Sequence, residues 1–506
     1  MGPVRNFHGS RASDVSVGII ALGAVSLEMA VSARYGYHRD ELYFLAAGQH
    51  PALGYVDQPP LAPLVARLAA ALFADSLVGL RVIPALLLGW LVWTSSSIAR
   101  LYGGGAHARR IAALSTALCG EYVATAHLLT TTVFDFAAWA GVLWSCAHYL
   151  DDERPRWLIA AGIFTGVGLD AKWNIGFLLV AIVCGVAVTP SARRLTDWRS
   201  TSVVVVLIAA LGWPDVLWQA LHGWPNISVF RALQGDASHN RAVYWPAQIL
   251  YTGLAATPLW VAGLRDLFAR DSPDRRWRAL GVACAITLVT QFVLGGKPYY
   301  AGGVFVMLFG VGAVAVERRW TQRRVDNRPS VGPRSIIAAL AVSGALTLPL
   351  AIPVASARSL HTIPLQKINY DLAETIAWPR EVAQVAAVFH DLTPVQRRHA
   401  VVVAGNYGEA GALERYGEQF ALPRDRVFSG ANSFWLWGPP PRWATTMVAV
   451  NLEPALLHRL FARVRLVLVY RNGLGVANDE QGVEVMVATG LRVPWSRSWS
   501  AFRDYS

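Results

Sequence analysis

Over the first 356 positions, apolar residues come in blocks of about 20, separated by short polar connections in which arginine is frequent. A helix rising 1.5 Å per residue crosses a hydrocarbon core about 30 Å thick in about 20 residues. The pattern therefore predicts membrane spans near 15–33, 76–99, 109–128, 133–150, 157–169, 173–189, 201–221, 246–267, 278–296, 300–317 and 335–356. The stretch 157–169 is short for a full crossing and reads as part of a tilted hairpin. Beyond 356 the period changes. A-V-V-V-A-G (400–405) reads as a buried strand, and N-Y-G-E-A-G-A-L-E-R-Y-G (406–417) as a turn followed by an amphipathic helix. A-T-T-M-V-A-V-N-L (444–452) and V-R-L-V-L-V-Y (464–470) read as further strands, with L-E-P-A-L-L-H-R-L-F (452–461) helical between them.

These elements give a mainly α fold class. A polytopic helical bundle of about eleven spans occupies 1–356, and a C-terminal α/β domain occupies 357–506. Composition agrees: 54% of the 506 residues are hydrophobic and only 15% charged, against about 25% charged in soluble domains. The net charge of +12 raises the question of nucleic acid. The arginines sit in short loops on alternate sides of the spans, with a bias of about three to one, as the positive-inside rule requires. That places the N-terminus in the cytoplasm, the loop 34–75 outside and, for an odd number of spans, the C-terminal domain outside. It makes membrane lipid, and not nucleic acid, the partner of the basic stretch 318–334. The first span reads as a retained anchor in the plasma membrane. The four cysteines, Cys119, Cys146, Cys184 and Cys284, fall inside spans and show no metal-ligand spacing.

On this topology the acids gather at one face. Glu28, Glu121, Asp135 and Asp215 lie in the outer halves of spans. Asp40, Glu41 and Asp57 lie in the first outer loop, and Asp170 and Lys172 in the turn near 170. Lys297 follows two glycines in G-G-K-P-Y-Y, and lysine occurs elsewhere only at Lys172 and Lys367. A transporter would place its key charges near the midplane on interrupted helices. Clustering at one face favours a water-accessible outer site instead.

There is no P-loop, kinase set or G-x-S-x-G, and G-N-Y-G (405–408) lacks the rest of a dinucleotide fingerprint. An outer site has no cytoplasmic nucleotide sugar, so an activated donor has to arrive through the bilayer, as a polyprenyl-phosphate sugar does. Transfer from it needs a carboxylate to take the acceptor proton and a cation to hold the departing phosphate. Adjacent helical residues point about 100° apart, so Asp40 and Glu41 cannot both face the reacting atom. Asp40 is assigned as base, with Glu41 as a structural or hydrogen-bonding partner in the catalytic pair. The same residues also have plainer readings: Asp40 and Glu41 as caps of a surface helix, Asp57 as an Asx turn, and Asp135 as a helix N-terminal acid. Lys297 also reads as a snorkelling anchor, and Tyr299 and Tyr300 as aromatic-belt residues. Trp435-Leu436-Trp437 is either a sugar-stacking surface or a buried strand.

The first-loop Asp-Glu pair, Y-V-D-Q-P-P-L, the acid near the start of span four, G-L-D-A-K-W and K-P-Y-Y-A-G-G together resemble the bacterial branch of the protein O-mannosyltransferase and lipid A aminoarabinose transferase superfamily. The resemblance covers most of 15–317. It implies the GT-C glycosyltransferase fold, a polyprenyl-phosphate-sugar donor and an inverting single displacement with Asp40 as base. It also implies that Asp57 shapes the substrate pocket and that Lys297, Tyr299 and Tyr300 contact the lipid phosphate. Gln58, Asp135 and Lys172 complete the substrate-binding set. The aminoarabinose transferases usually read Glu-Lys-Pro-Pro where this chain has Asp57-Gln58-Pro59-Pro60, so one phosphate-side cation is missing. The acceptor, whether a cell-envelope glycan, lipid or protein, stays open. No cofactor is required by the pattern, although the acids are numerous enough to hold a divalent cation. A flippase or transporter of lipid-linked saccharide, and a non-catalytic scaffold, are the competing readings.

Overall fold

The computed structural model describes residues 10–193, 197–269 and 274–505. Arg5, Arg194 and Arg270, counted above in the charge bias, lie outside them. The chain forms two compact units. The first comprises Met1–Ser32, Arg81–Leu217 and Leu233–Ile352, and the second Ala33–Leu80, Trp218–Ala232 and Pro353–Ser506.

The first unit is helical. Among the described residues, six helices are long and apolar enough to cross a membrane: Ser13–Val31, Leu77–Leu101, Trp198–Leu221, Arg275–Leu294, Pro298–Val325 and Pro333–Ala351. A seventh span results if Asn226–Thr252 and Thr257–Phe268, bent by 105° at the break between them, are counted as one. The other expected spans take different forms. The stretch 109–128 breaks at Leu118 and Cys119 into Ala106–Ala117 and Gly120–Ala126. Pro155–Leu169 and Ile175–Val188 are apolar but have 15 and 14 residues, about 22 Å of helix. Thr131–Asp152 is long enough but more polar, carrying Thr131, Thr132, Asp135, Ser145, His148, Asp151 and Asp152.

The core of this unit is the helix Phe305–Val325, in which every residue from Phe305 to Ala315 is buried. Its glycines explain the packing. A Cβ on Gly312 would strike the carbonyl of Leu259, and one on Gly263 would strike that of Leu308. The helices Thr257–Phe268 and Phe305–Val325 thus meet backbone to backbone, as small residues permit in membrane bundles.

The second unit is built on a five-stranded sheet. Its strands are β1 (Ala400–Ala404), β2 (Val427–Ser429), β3 (Thr446–Val450), β4 (Phe461–Val469) and β5 (Glu484–Leu491). The order is β2-β1-β3-β5-β4. β1 pairs in parallel with β2 and β3, while β5 runs antiparallel to both β3 and β4. β1 and β3 are buried throughout, which is why they read as unbroken apolar runs. Trp495, Trp499, Phe502, Phe461 and Met447 fill the core on one side. Trp435 lies in a short helix, Asn432–Leu436, rather than a strand. It packs on that core and donates to the carbonyl of Trp499 at 3.2 Å.

The helix Arg39–Gln49 belongs to this unit and packs on Tyr407–Tyr416. Gly408 and Gly411 make the approach possible: a Cβ would come within 2.7 Å of Arg39 Cβ at the first and 2.8 Å of the Leu42 backbone at the second. This contact brings the first-loop acids against the C-terminal sequence.

Candidate functional site

Asp40 lies in the first turn of Arg39–Gln49, where the helix dipole favours an anion. Its Oδ1 accepts a hydrogen bond of 3.0 Å from the Tyr407 hydroxyl, and its side chain is about one third exposed. Burial, followed by the negative charge of Asp40, holds the Tyr407 phenol well above its ordinary pKa, so it remains a donor. His38 is the N-cap. Its Nδ1 accepts the backbone N–H of Asp40 at 3.2 Å, so the neutral ring carries its proton on Nε2, 3.6 Å from the Asp371 carboxylate. Burial opposes protonation of His38, but Asp371 and Asp40 outweigh it and raise the pKa above 6.5.

Glu41 is fully buried, and its Oε2 accepts the His38 backbone N–H at 2.9 Å, closing a capping box. Arg39 is pinned by Asp479 at 2.7 Å, with Glu374 3.8 Å away.

Asp57 sits in the turn Tyr55–Pro60. Its Oδ1 accepts from the Tyr43 hydroxyl at 2.8 Å and its Oδ2 from Asn432 Nδ2 at 3.3 Å. Burial and the charge of Asp57 push the Tyr43 phenol well up. The turn itself is held from several directions. Tyr55 N–H donates to the Gln58 carbonyl at 3.0 Å, Val56 N–H to Ser433 Oγ at 3.0 Å, and Gln219 Nε2 to the Tyr55 carbonyl at 2.8 Å. The Gln58 side chain is buried, and its Nε2 has no hydrogen-bond acceptor among the described residues.

The remaining expected residues form a separate cluster within the first unit. Lys172 Nζ donates to Thr132 Oγ1 at 3.1 Å and lies 5.2 Å and 4.6 Å from the ring centres of Tyr299 and Tyr300. At such distances the ring faces attract the ammonium. Asp135, buried, accepts from Trp139 Nε1 at 2.8 Å and from Asn174 Nδ2 at 2.9 Å. Asn174 also donates to the Tyr300 carbonyl at 2.8 Å and accepts from Gln291 at 2.9 Å. Asp135 therefore orients the platform beneath Lys172. Lys297 is half-buried, and among the described residues its side chain makes no hydrogen bond or ion pair.

The structure thus groups Asp40, Glu41, Asp57 and Gln58 in one unit, and Asp135, Lys172, Lys297, Tyr299 and Tyr300 in the other. Sequence reasoning missed Tyr407, Tyr43, Ser433, Asn432 and Gln219 around the acids, and Asn174, Thr132 and Gln291 around Lys172. Tyr407 carried a usable signal. It sits in G-N-Y-G, immediately before Gly408, the first of the two glycines that admit the Asp40 helix.

This architecture is the GT-C fold of membrane glycosyltransferases. Residues 57–218 match the family described as dolichyl-phosphate-mannose-protein mannosyltransferase, a range that holds Asp57, Gln58, Asp135 and Lys172 but begins after Asp40. Among solved structures, the chain is similar to ArnT from Cupriavidus metallidurans in the apo state, with 15% identity, a TM-score of 0.57, and coverage of 94% of this chain and 97% of that one. It is equally similar to the same protein bound to undecaprenyl phosphate, with 16% identity, a TM-score of 0.57, and coverage of 95% and 98%. No curated protein matches the sequence.

Proposed function

We propose that this chain is an integral-membrane glycosyltransferase that moves a sugar from a polyprenyl-phosphate donor to a cell-envelope acceptor outside the cytoplasm, with Asp40 as general base. The observation that carries the assignment is the contrast among Asp40, Glu41 and Asp57. Glu41 is fully buried in its capping box, and both oxygens of Asp57 already accept hydrogen bonds. The Asp40 side chain stays about one third exposed while Tyr407 and the helix N-terminus hold its carboxylate in place. The likeness to a structure that holds undecaprenyl phosphate supports a lipid-phosphate donor.

In the transfer, the acceptor oxygen attacks the anomeric carbon as its proton passes to Asp40. The bond from that carbon to the phosphate oxygen breaks with its electron pair, inverting the centre and releasing polyprenyl phosphate. Lys172 and Lys297 supply positive charge for the leaving phosphate, with Tyr299 and Tyr300 as the platform that holds Lys172. Asp57 and Gln58 shape the substrate pocket. Modification from outside the cell at a cysteine placed at position 40, but not at position 326, is the expected outcome for the proposed orientation in the plasma membrane.

Asp40→Asn tests the base. Transfer of radiolabelled sugar from polyprenyl phosphate to envelope material falls by about 10²–10⁴-fold, while donor binding persists. Undiminished transfer removes Asp40 from the mechanism, and a donor left chemically intact by the wild-type protein identifies a flippase instead.

A further inference from the structure

Away from Asp40, the second unit buries three further acids side by side. Glu381 comes from the helix Trp378–His390, Glu409 from the first turn of Tyr407–Tyr416, and Glu480 from the loop before β5. Each offers a carboxylate oxygen within 4.8 Å of the other two, and their exposures are 3%, 0% and 1%. Glu409 Oε2 accepts the backbone N–H groups of Gly405 and Asn406 at 3.0 and 3.1 Å, and Glu480 Oε1 meets Asn406 Nδ2 at 3.4 Å. Beyond these contacts, one oxygen of each acid, Glu381 Oε2, Glu409 Oε1 and Glu480 Oε2, is buried with no hydrogen-bond donor among the described residues. A buried carboxylate oxygen without a donor is costly, and three held together repel one another.

We infer that Glu381, Glu409 and Glu480 bind a calcium ion. The donor set is all hard oxygen, which excludes the preferences of zinc and copper. Oxygens on opposite sides of a calcium ion, each 2.3–2.6 Å from it, stand about 5 Å apart, which accommodates the observed spacing. Magnesium prefers to keep several waters in a tight octahedron, which three glutamates exposed by 3% or less do not favour.

The site has a structural consequence. Glu409 and Tyr407 share one helical turn, and Tyr407 holds Asp40. Next to Glu480, Asp479 pins Arg39, the neighbour of Asp40. An ion would therefore fix two of the protein contacts of the Asp40 turn, Tyr407 with Asp40 and Asp479 with Arg39. This consequence rests on the proposed role of Asp40, whereas the ion site does not.

Calorimetric titration of the purified, detergent-solubilised full-length chain with CaCl2 tests the site. One saturable event is expected, weakened about tenfold or more in Glu381→Gln and in Glu480→Gln, with a melting temperature that rises with calcium and falls back with EGTA. Glu480→Gln, on a loop, keeps the test valid if Glu381→Gln does not fold. Absence of saturable binding, or undiminished binding in the variants, overturns the site. Preference for MgCl2 over CaCl2 overturns the choice of ion. A carboxyl cluster held only by shared protons shows no metal response and gains stability on acidification. Because the readout is binding, a failure of Asp40 as base leaves the result unaffected.

Discussion

The hydroxyl of Tyr407 donates to Asp40 Oδ1 at 3.0 Å across 367 residues of chain. Tyr407→Phe keeps the ring and removes the one charge-assisted hydrogen bond, a contact type that contributes about 1.5–3 kcal/mol. The expected outcome is a fall in kcat of about 10- to 100-fold with KM for the lipid donor unchanged, read by single-turnover transfer of labelled sugar. A loss confined to KM would show that Tyr407 binds donor rather than positioning the base.

His38 gives a pH dependence of stability. Its folded pKa lies above the ordinary 6.5 because Asp371 and Asp40 outweigh its burial, with Arg39 opposing them. Between 6.5 and the higher folded value, the native state binds more protons than the unfolded one, so stability falls as pH rises. The contribution is fully present below pH 6.5 and is lost as pH climbs through the folded value. Asn at position 38 still caps the helix, so His38→Asn should flatten this slope without abolishing folding. Melting temperatures taken from pH 5.5 to 8.5 in both proteins provide the check.

Replacement of Lys172 or Lys297 by Met removes a positive charge while keeping a long apolar stem. Each change is expected to raise KM for the polyprenyl-phosphate donor by about 10- to 100-fold, the effect of one lost charge-assisted contact. Lys172→Arg keeps the charge over the rings of Tyr299 and Tyr300 and should recover part of the loss. Equal KM in wild type and both Met variants would exclude these lysines from donor binding.

Ser433→Ala leaves the buried N–H of Val56 without its 3.0 Å acceptor. An unsatisfied buried donor costs about 1–3 kcal/mol, which should appear as a lower unfolding midpoint in detergent. Since the Asp57 turn then loses one of the bonds that hold it, alongside Tyr43, Asn432 and Gln219, donor affinity should fall with it.

The strands β1 and β3 were legible because burial on both faces leaves a run of valine and alanine with no other reading. The extent of the membrane helices was less so. Hydropathy averages over the break at Leu118 and Cys119, and although it marks 157–169 as short, it does not register that the 14-residue helix Ile175–Val188 ends before a bilayer does. At the candidate site, Asp40 stood out by its place after the first span, and Lys172 by the scarcity of lysine. Their partners did not stand out. Tyr407, Ser433 and Asn174 are ordinary residues whose roles arise from long-range contacts, and the Glu381, Glu409 and Glu480 cluster draws on three segments that no local pattern connects. Trp435 illustrates the opposite case. Its aromatic stretch invited a sugar-binding or strand reading, and the chain instead turns it into one helical turn sealing the core.

The glycine seam at Gly263 and Gly312 constrains how the first unit can move. Where main chain presses on main chain, neither helix can slide past the other without a steric collision. Any rearrangement that admits a lipid tail or releases a spent carrier has to be absorbed at another joint, and the 105° elbow between Thr252 and Thr257 is the natural place to hinge.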